Sequence, residues 1–175
     1  MAKIATLITD MFEDVEYTDP SKAFNDAGHE VFTIEKEAGK EVTGKQGEAV
    51  VSIDKGIDDA NPDDYDALFL PGGFSPDQLR ADDRFVKFTK AFMDAKKPVF
   101  AICHGPQLLV TAKALEGRKA TGYKSIHVDM EYAGAKLVDE EVAVCQDQLV
   151  TSRQPDDIPA FNRESLRVLE QYSAK

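Results

Sequence analysis

The residues best suited to chemistry in this sequence surround Cys103. The mostly apolar residues 99–102 precede the cysteine, and His104, Gly105 and Pro106 follow it. This order predicts a buried strand, a sharp turn and a helix, because proline suits the first turn of a helix. A cysteine on such a turn meets free backbone N–H groups that favour the thiolate. The pattern therefore predicts a nucleophilic cysteine.

The neighbours of Cys103 fit a nucleophile elbow, in which a sharply bent strand–turn–helix segment exposes the reactive side chain. The bend brings together the residues two before and two after the nucleophile, and these are the small residues Ala101 and Gly105. A lone cysteine is more often a buried packing residue. The flanking pattern favours catalysis for Cys103, whereas Cys145, in a predicted strand without a basic neighbour, is interpreted as a packing residue.

A carboxyl group follows the first predicted strand and can reach the sulfur if its loop folds inward. A protonated acid beside a thiolate donates a hydrogen bond to it, and a low-dielectric pocket keeps that acid protonated. Glu13 is the candidate for this role, Glu16 is its rival, and Asp10 and Asp14 are further alternatives. Acidic residues are also common at helix starts for reasons unrelated to function.

Two glycines and a histidine complete the candidate site. Gly72 and Gly73 end a predicted strand, so their N–H groups could form an oxyanion hole, or the glycines could simply make a turn. His104 could serve as base or acid, but a histidine base needs a third group to orient it. The other histidines, His29 and His127, form no metal-ligand cluster in the sequence.

Apolar runs and helical periodicity alternate along the chain. Strands are predicted at 4–9, 30–35, 67–70 and 99–102, hairpins at 42–53 and 142–152, and helices at 16–27, 82–95, 107–115, 126–133 and 156–172. This alternation predicts a single α/β domain over residues 1–175, with a flavodoxin-like, open, mostly parallel sheet and helices on both faces. Ligands bind outside the carboxyl ends of such strands, where the three candidate loops converge.

Composition limits the function classes. The chain has 175 residues, a net charge of -11 and a pI near 4.7. The acidic charge disfavours nucleic acid and anionic membranes as partners. The short N-terminal apolar run ends in acidic residues, unlike a signal peptide, and no stretch approaches the ~20 apolar residues of a membrane helix. Two cysteines form no disulfide framework, so we expect a cytoplasmic protein.

The motifs together resemble a known family over nearly the whole chain. They are Phe12-Glu13-Asp14-Val15-Glu16, Leu70-Pro71-Gly72-Gly73, the segment from Ala101 to Gln107, Thr151-Ser152-Arg153 and Pro155-Asp156-Asp157. This set resembles the ThiJ/PfpI family, within the class I glutamine amidotransferase-like fold. The likeness is greatest to the PfpI-type branch, whose members are labelled intracellular cysteine protease, general stress protein or protein deglycase.

The resemblance implies roles for individual residues. Cys103 would be the nucleophile, Glu13 the carboxylic acid hydrogen-bonded to it, and His104 its catalytic companion. An acidic residue of a neighbouring subunit would orient His104; the matching position is Asp77, where the family commonly has glutamate. The resemblance also implies a dimer or hexamer, with the site near an interface, and no metal or organic cofactor.

Family members are described as peptidases, cofactor-independent glyoxalases and deglycases. The implied partners are small reactive carbonyls or glycated protein side chains. The alternative is a non-catalytic redox sensor or chaperone-like stress protein, in which Cys103 is oxidised to a sulfinic acid. An amidotransferase-type glutaminase is disfavoured, because it needs a distant His-x-Glu pair and the similar string His127-Val128-Asp129 follows the elbow too closely.

Overall fold

A seven-stranded sheet forms the centre of the computed structural model, which describes residues 1–174. The strands of the chain are β1 (Lys3–Leu7), β2 (Glu30–Glu35), β3 (Glu41–Thr43), β4 (Val50–Ser52), β5 (Lys55–Gly56), β6 (Ala67–Leu70), β7 (Val99–Ile102), β8 (Lys119–Ala120), β9 (Lys136–Leu137), β10 (Ala143–Cys145) and β11 (Leu149–Ser152). The central sheet has the order β10-β11-β7-β6-β1-β2-β5. Its strands pair in parallel, except that β10 pairs antiparallel with β11.

Helices cover both faces of this sheet. They are α1 (Asp14–Asp26), α2 (Ser75–Leu79), α3 (Asp83–Asp94), α4 (Pro106–Thr111), α5 (His127–Tyr132) and α6 (Ile158–Ser173). Alternate residues of one strand serve different cores: Ile4 packs with Phe24 of α1 and Phe161 of α6, whereas Ala5 packs with Phe88 of α3. This division follows from strand geometry, because successive side chains point to opposite faces. The predicted α/β architecture is confirmed.

The order of the strands places a crevice at their carboxyl ends. β1 and β6 are neighbours, but the chain continues from β1 to β2 on one side and from β6 to β7 on the other. Loops that leave such neighbouring strands diverge and open a ligand crevice at the switch point. The loops after β1, β6 and β7 meet there, as the sequence predicts.

Several small elements differ from the expectations. The hairpins β3–β4 and β10–β11 form as predicted. Residues 58–66, expected to be a surface loop, include most of one short 3-10 helix and all of a second, and α2 and β5 have no counterpart among the predicted elements. These pieces are at most five residues long, too short for apolar periodicity to indicate them. Within residues 1–174, no helix is both long and apolar enough to span a membrane.

Candidate active site

Cys103 lies on the sharp turn between β7 and α4. Its φ of +62° falls in the left-handed region that side chains other than glycine rarely adopt. The turn is held because the Cys103 N–H donates to the Ser152 carbonyl at 3.0 Å and the Gly105 N–H donates to the Ile102 carbonyl at 2.8 Å. A Cβ atom at Gly105 would lie 2.3 Å from the Leu70 carbonyl oxygen. The predicted elbow and its need for a small residue at position 105 are thus confirmed.

The carboxyl group beside the sulfur is that of Glu16, not Glu13. Glu16 is fully buried in the first turns of α1 and lies beside Cys103, since a Cβ atom at Gly72 would be 2.4 Å from Glu16 Oε1 and 2.8 Å from the Cys103 Cβ atom. Glu13 precedes the helix, and its Oε2 lies 2.8 Å from Lys45 Nζ. The expectation that Glu13 is the acid hydrogen-bonded to the thiol is therefore wrong. The reason is helix geometry: α1 begins at Asp14, so Glu16 faces the sheet while Glu13 faces the loop that carries Lys45.

Glu16 and Cys103 are two ionisable groups that are both buried and close together, so each affects the pKa of the other. Burial raises the pKa of Glu16 from 4.5 to about 8, and the negative charge of Glu13 adds to the increase. Burial also raises the pKa of the Cys103 thiol, as does an ionised Glu16. Once Glu16 holds a proton, its repulsion of the thiolate disappears and its O–H can donate to the sulfur. Both pKa values are thus raised, and a thiolate on Cys103 is favoured only while Glu16 keeps its proton.

Backbone donors around the sulfur favour its ionised form. The N–H groups of Gly73 and His104 are directed at Cys103 and lower the pKa of its thiol. The N–H of Gly72 donates instead to Glu16 Oε1 at 3.1 Å. The expectation that both glycines supply oxyanion donors is therefore corrected: Gly72 positions the acid, and Gly73 is the glycine with an N–H directed at the reaction centre.

His104 lies beside the nucleophile. Its Nδ1 is 3.4 Å from the Cys103 sulfur, and its Nε2 is 3.2 Å from the Ser125 hydroxyl oxygen. Its ring stacks on Tyr123 with 5.0 Å between ring centroids. Burial lowers the pKa of His104, and the positive charge of Lys45 lowers it further. The imidazole is thus favoured in its neutral form, able to accept or relay a proton.

Asp77 lies on α2 at the edge of this region. Its Oδ1 is 3.0 Å from a guanidinium nitrogen of Arg80, and its negative charge acts to raise the pKa of His104. The Nε2 of His104 meets Ser125 within the chain. Asp77 is exposed, as a residue that serves a neighbouring subunit would be. Its contribution across an interface stays a prediction.

A cavity of about 400 Å³ gives access to the sulfur. Its walls are Glu13, Glu16, Lys45, Gly73, Phe74, Cys103, His104, Tyr123, Ser125 and Pro155. Three of these residues are not among the candidates that the sequence indicates: Lys45, Tyr123 and Ser125. They come from the β3–β4 turn and from the segment after β8, where nothing in the local sequence indicates a position near Cys103. Over residues 1–174, no cluster of three or more His, Cys, Asp or Glu side chains suits a metal ion.

Cys145 has a different environment from the one expected. It is buried, in agreement with a packing role, but the Nε of Arg118 lies 3.2 Å from its sulfur. The expectation of no basic neighbour is therefore wrong. Arg118 reaches β10 from the loop before β8, and its Nη2 donates to Gln148 Oε1 and to the Cys145 carbonyl. That contact depends on tertiary structure and is invisible in the local sequence.

Known proteins are similar to this chain in sequence and in fold. A protein of Bacillus subtilis named General stress protein 18 is 74% identical over 168 residues, or 96% of this chain and 98% of that protein. Escherichia coli Protein/nucleic acid deglycase 2 is 63% identical over 95% of this chain and 97% of its own. A crystal structure from Anabaena variabilis, with DJ-1/ThiJ/PfpI-like and ferritin-like domains, superposes with a TM-score of 0.94 at 35% identity.

That alignment includes 97% of this chain and 48% of the Anabaena protein, so the chain spans about half of that two-domain molecule. The model of the DJ-1/PfpI family matches residues 2–168. With the elbow, the buried glutamate and the strand order described above, this match leaves no doubt about the relationship: the chain belongs to the DJ-1/PfpI family.

Proposed function

We propose that this protein is a cysteine-dependent stress-protection hydrolase that acts on reactive-carbonyl damage. The observation that carries the proposal is the pairing of Cys103 with the buried acid Glu16 beside a cavity. A thiolate attacks electrophilic carbon, and a neighbouring acid moves the protons that the reaction requires. The names of the B. subtilis and E. coli relatives, a general stress protein and a deglycase, support this class of activity.

The first step on methylglyoxal is addition to its aldehyde. The Cys103 thiolate forms a bond to the aldehyde carbon, and the carbonyl electron pair moves to oxygen. That oxygen takes the proton of Glu16, which yields a hemithioacetal and a carboxylate. The N–H groups of Gly73 and His104, which face the sulfur, are available to stabilise negative charge there.

The second step moves a proton within the adduct. Glu16 or His104 removes the proton on the former aldehyde carbon, and the resulting enediol is reprotonated on the adjacent carbon. The product is a thioester of lactate on Cys103. Water hydrolyses the thioester and restores the thiol, so the sum is methylglyoxal plus water to lactic acid. No external oxidant or reductant is consumed.

Glycated side chains fit the same scheme. In an early hemiaminal adduct, the Cys103 thiolate bonds to the carbon that carries the nitrogen, the C–N bond breaks, and the leaving amine takes a proton. The fragment that remains bonded to the Cys103 sulfur is the same hemithioacetal that forms from free methylglyoxal. Protein deglycation and glyoxalase activity would thus share one nucleophile and one acid, and peptide hydrolysis would use the same thiolate on an amide.

The substrate range need not exclude nucleic acid. The E. coli relative is named a protein/nucleic acid deglycase, so the expectation from net charge that nucleic acid is no partner is not supported. A charge of -11 opposes tight binding to a phosphate backbone. It does not oppose brief contact with a small adduct on a nucleic acid.

Self-association forms part of the proposal. An oligomer, a dimer or hexamer, would place Asp77 of one subunit near His104 of the next and would orient the imidazole. Asp77 is exposed and lies on the short helix α2, directly after the loop that holds Gly73. The position of this helix next to the cavity supports a shared site.

A redox-sensing role is the second candidate. The same donors that stabilise a thiolate would also stabilise a sulfinate on Cys103, since both are anions beside a protonated Glu16. Mild peroxide followed by intact-mass measurement separates the two functions. A gain of about 32 Da, the mass of two added oxygens, together with no carbonyl turnover, would favour the sensor.

The test of the enzyme proposal is consumption of methylglyoxal with measurement of lactate. Wild-type protein should form lactate, whereas Cys103→Ala and Glu16→Gln should not. Cys145→Ala is the matched control, because it removes the chain's other cysteine, which lies outside the cavity lining. Equal methylglyoxal consumption by wild type and Cys103→Ala would refute the proposal.

A further inference from the structure

Lys45 lies in the wall of the same cavity as Cys103. Its Nζ is 2.8 Å from Glu13 Oε2 and 5.5 Å from the centroid of the Phe74 ring, a distance typical of a cation–π contact. The side chain is 36% exposed, so a solute entering the cavity can reach it. An ammonium group donates three hydrogen bonds, and the contact with Glu13 uses one of them.

The loop that carries Lys45 is held firmly on the protein. The buried carboxylate of Asp14 accepts hydrogen bonds from the backbone N–H groups of Gln46, Glu48 and Ala49 at 2.8–3.0 Å. A Cβ atom at Gly44 would lie 2.2–2.5 Å from that carboxyl group, so a glycine is required for this approach. The loop therefore has a fixed position, and Lys45 is a built part of the cavity wall.

Lys45 also supplies positive charge to a site rich in acids. Among the described residues that line the cavity, it is the one lysine or arginine. Its ammonium interacts favourably with negative charge on Glu13, on Cys103 and on Glu16. An anionic substrate that entered without this cation would be repelled by the thiolate and by the carboxylate of Glu13.

Two donors already hold a carboxylate at this place. Besides Lys45 Nζ, the side-chain nitrogen of Gln46 donates to Glu13 Oε1 at 3.2 Å. The protein's own Glu13 thus occupies a small carboxylate-binding arrangement at the edge of the cavity. A carboxylate on a substrate could take the remaining donors of Lys45 or displace Glu13.

The geometry points to Lys45 as a specificity-determining residue that favours substrates with a carboxylate next to the attacked carbon. Its ammonium would bind the substrate carboxylate while the Cys103 sulfur bonds to the neighbouring carbonyl carbon. The substrate class is therefore short oxo acids and carbonyl adducts that retain a carboxylate. This inference rests on the proposed attack of Cys103 on carbonyl carbon and names the substrates that this attack prefers.

The test uses two alkylating agents that differ in charge. Iodoacetate carries a carboxylate on its electrophilic carbon, and iodoacetamide carries a neutral amide of similar size. Their rates at Cys103 are measured by mass spectrometry, and the ratio of the rates cancels any change in thiolate fraction. We expect Lys45→Met to lower the iodoacetate-to-iodoacetamide ratio by about fivefold, the upper range for an exposed ion pair.

Three further variants separate Lys45 from general charge effects. Lys22→Met removes an exposed lysine of α1 that pairs with Asp26, and should leave the ratio unchanged. Lys45→Arg keeps the charge and should preserve most of the preference. Glu13→Gln removes the competing carboxylate and should raise the ratio. An equal ratio in wild type and Lys45→Met, or the same decrease in Lys22→Met, would overturn the inference.

A binding measurement extends the test to carbonyl compounds. Glyoxylate should protect Cys103 from iodoacetamide at lower concentration than methylglyoxal does, and Lys45→Met should abolish this difference. Neither readout requires turnover. Loss of lactate formation with a retained ratio would reject the hydrolase and keep the carboxylate preference, whereas lactate formation with no preference would reject Lys45 alone.

Discussion

The carboxyl group of Glu16 and the thiol of Cys103 lie side by side across the crevice between α1 and the elbow, in the wall of one cavity. The Gly72 N–H fixes the other side of that carboxyl group at 3.1 Å. Glu16 is fully buried, and burial raises its pKa to about 8, so the acid retains its proton near neutral pH. The arrangement supplies a proton donor beside a nucleophile, which is the main requirement for addition to a carbonyl.

Replacement of Glu16 by glutamine should abolish most catalysis. Glutamine preserves the size of the side chain but cannot transfer a proton, so kcat/KM on methylglyoxal should fall by about 10²–10⁴-fold, the usual contribution of a general acid or base. Glu13→Gln is the matched control, because Glu13 lies in the same wall but pairs with Lys45. A larger loss in Glu13→Gln than in Glu16→Gln would restore Glu13 as the acid.

The Glu16→Gln substitution should also change how the free energy of unfolding depends on pH. The pKa of Glu16 is raised from 4.5 to about 8 in the folded protein, so between these values the native state binds more protons than the unfolded state. Stability from this group therefore falls as pH rises, by at most about 1.4 kcal/mol per pH unit. Thermal unfolding from pH 5 to 8 should show a steeper decrease for wild type than for Glu16→Gln; parallel curves would contradict this.

The elbow could be predicted from the sequence because its signals are contiguous. An apolar strand, a cysteine, a glycine two residues later and a proline at the helix start specify the local backbone without help from distant residues. The structure adds a physical reason for Gly105, whose missing side chain makes room for the Leu70 carbonyl. The strand alternation that predicts the sheet is equally local.

Local sequence signals could not decide whether Glu13 or Glu16 is the acid beside the Cys103 sulfur. Several acidic residues crowd the first turn of α1, and which of them faces the sulfur depends on the residue at which the helix begins. Helix starts are uncertain from sequence by a few residues, and a shift of that size turns a side chain from the crevice to the surface. The position of Lys45 in the cavity depends on how the β3–β4 hairpin packs against Asp14, and no local sequence pattern indicates that contact.

Asp14 should stabilise the protein through the loop that it anchors. Burial alone would raise its pKa, but the N–H groups of Gln46, Ala49 and Glu48 lower it to a net value below its ordinary 3.8. Asp14→Ala leaves these donors without their acceptor and should reduce the free energy of unfolding by about 1–3 kcal/mol at pH 7. Urea unfolding measures this, with exposed Asp19→Ala of the same helix as the control.

The contribution of Asp14 should also disappear in acid. A group with a lowered pKa in the folded state stabilises the protein above its ordinary pKa, and this effect is lost as pH falls through the folded value. The difference between wild type and Asp14→Ala should therefore shrink below about pH 4. A difference that stays constant down to pH 2 would mean that the carboxylate charge is not what holds the loop.

Asp77 offers a test of whether the site is shared between subunits. If Asp77 of one subunit orients His104 of another, Asp77→Asn should lower kcat/KM at least about tenfold, which corresponds to 1.4 kcal/mol, and Asp77→Glu should retain activity. Native mass spectrometry of the same samples gives the oligomeric state.

The control for this test is Arg80→Gln, because Asp77 forms an ion pair with Arg80 within the same chain. Loss of activity in Arg80→Gln and Asp77→Asn alike, in a monomeric protein, would assign the pair a role within one chain. Loss confined to Asp77→Asn in an intact oligomer would place the orienting carboxylate across the interface.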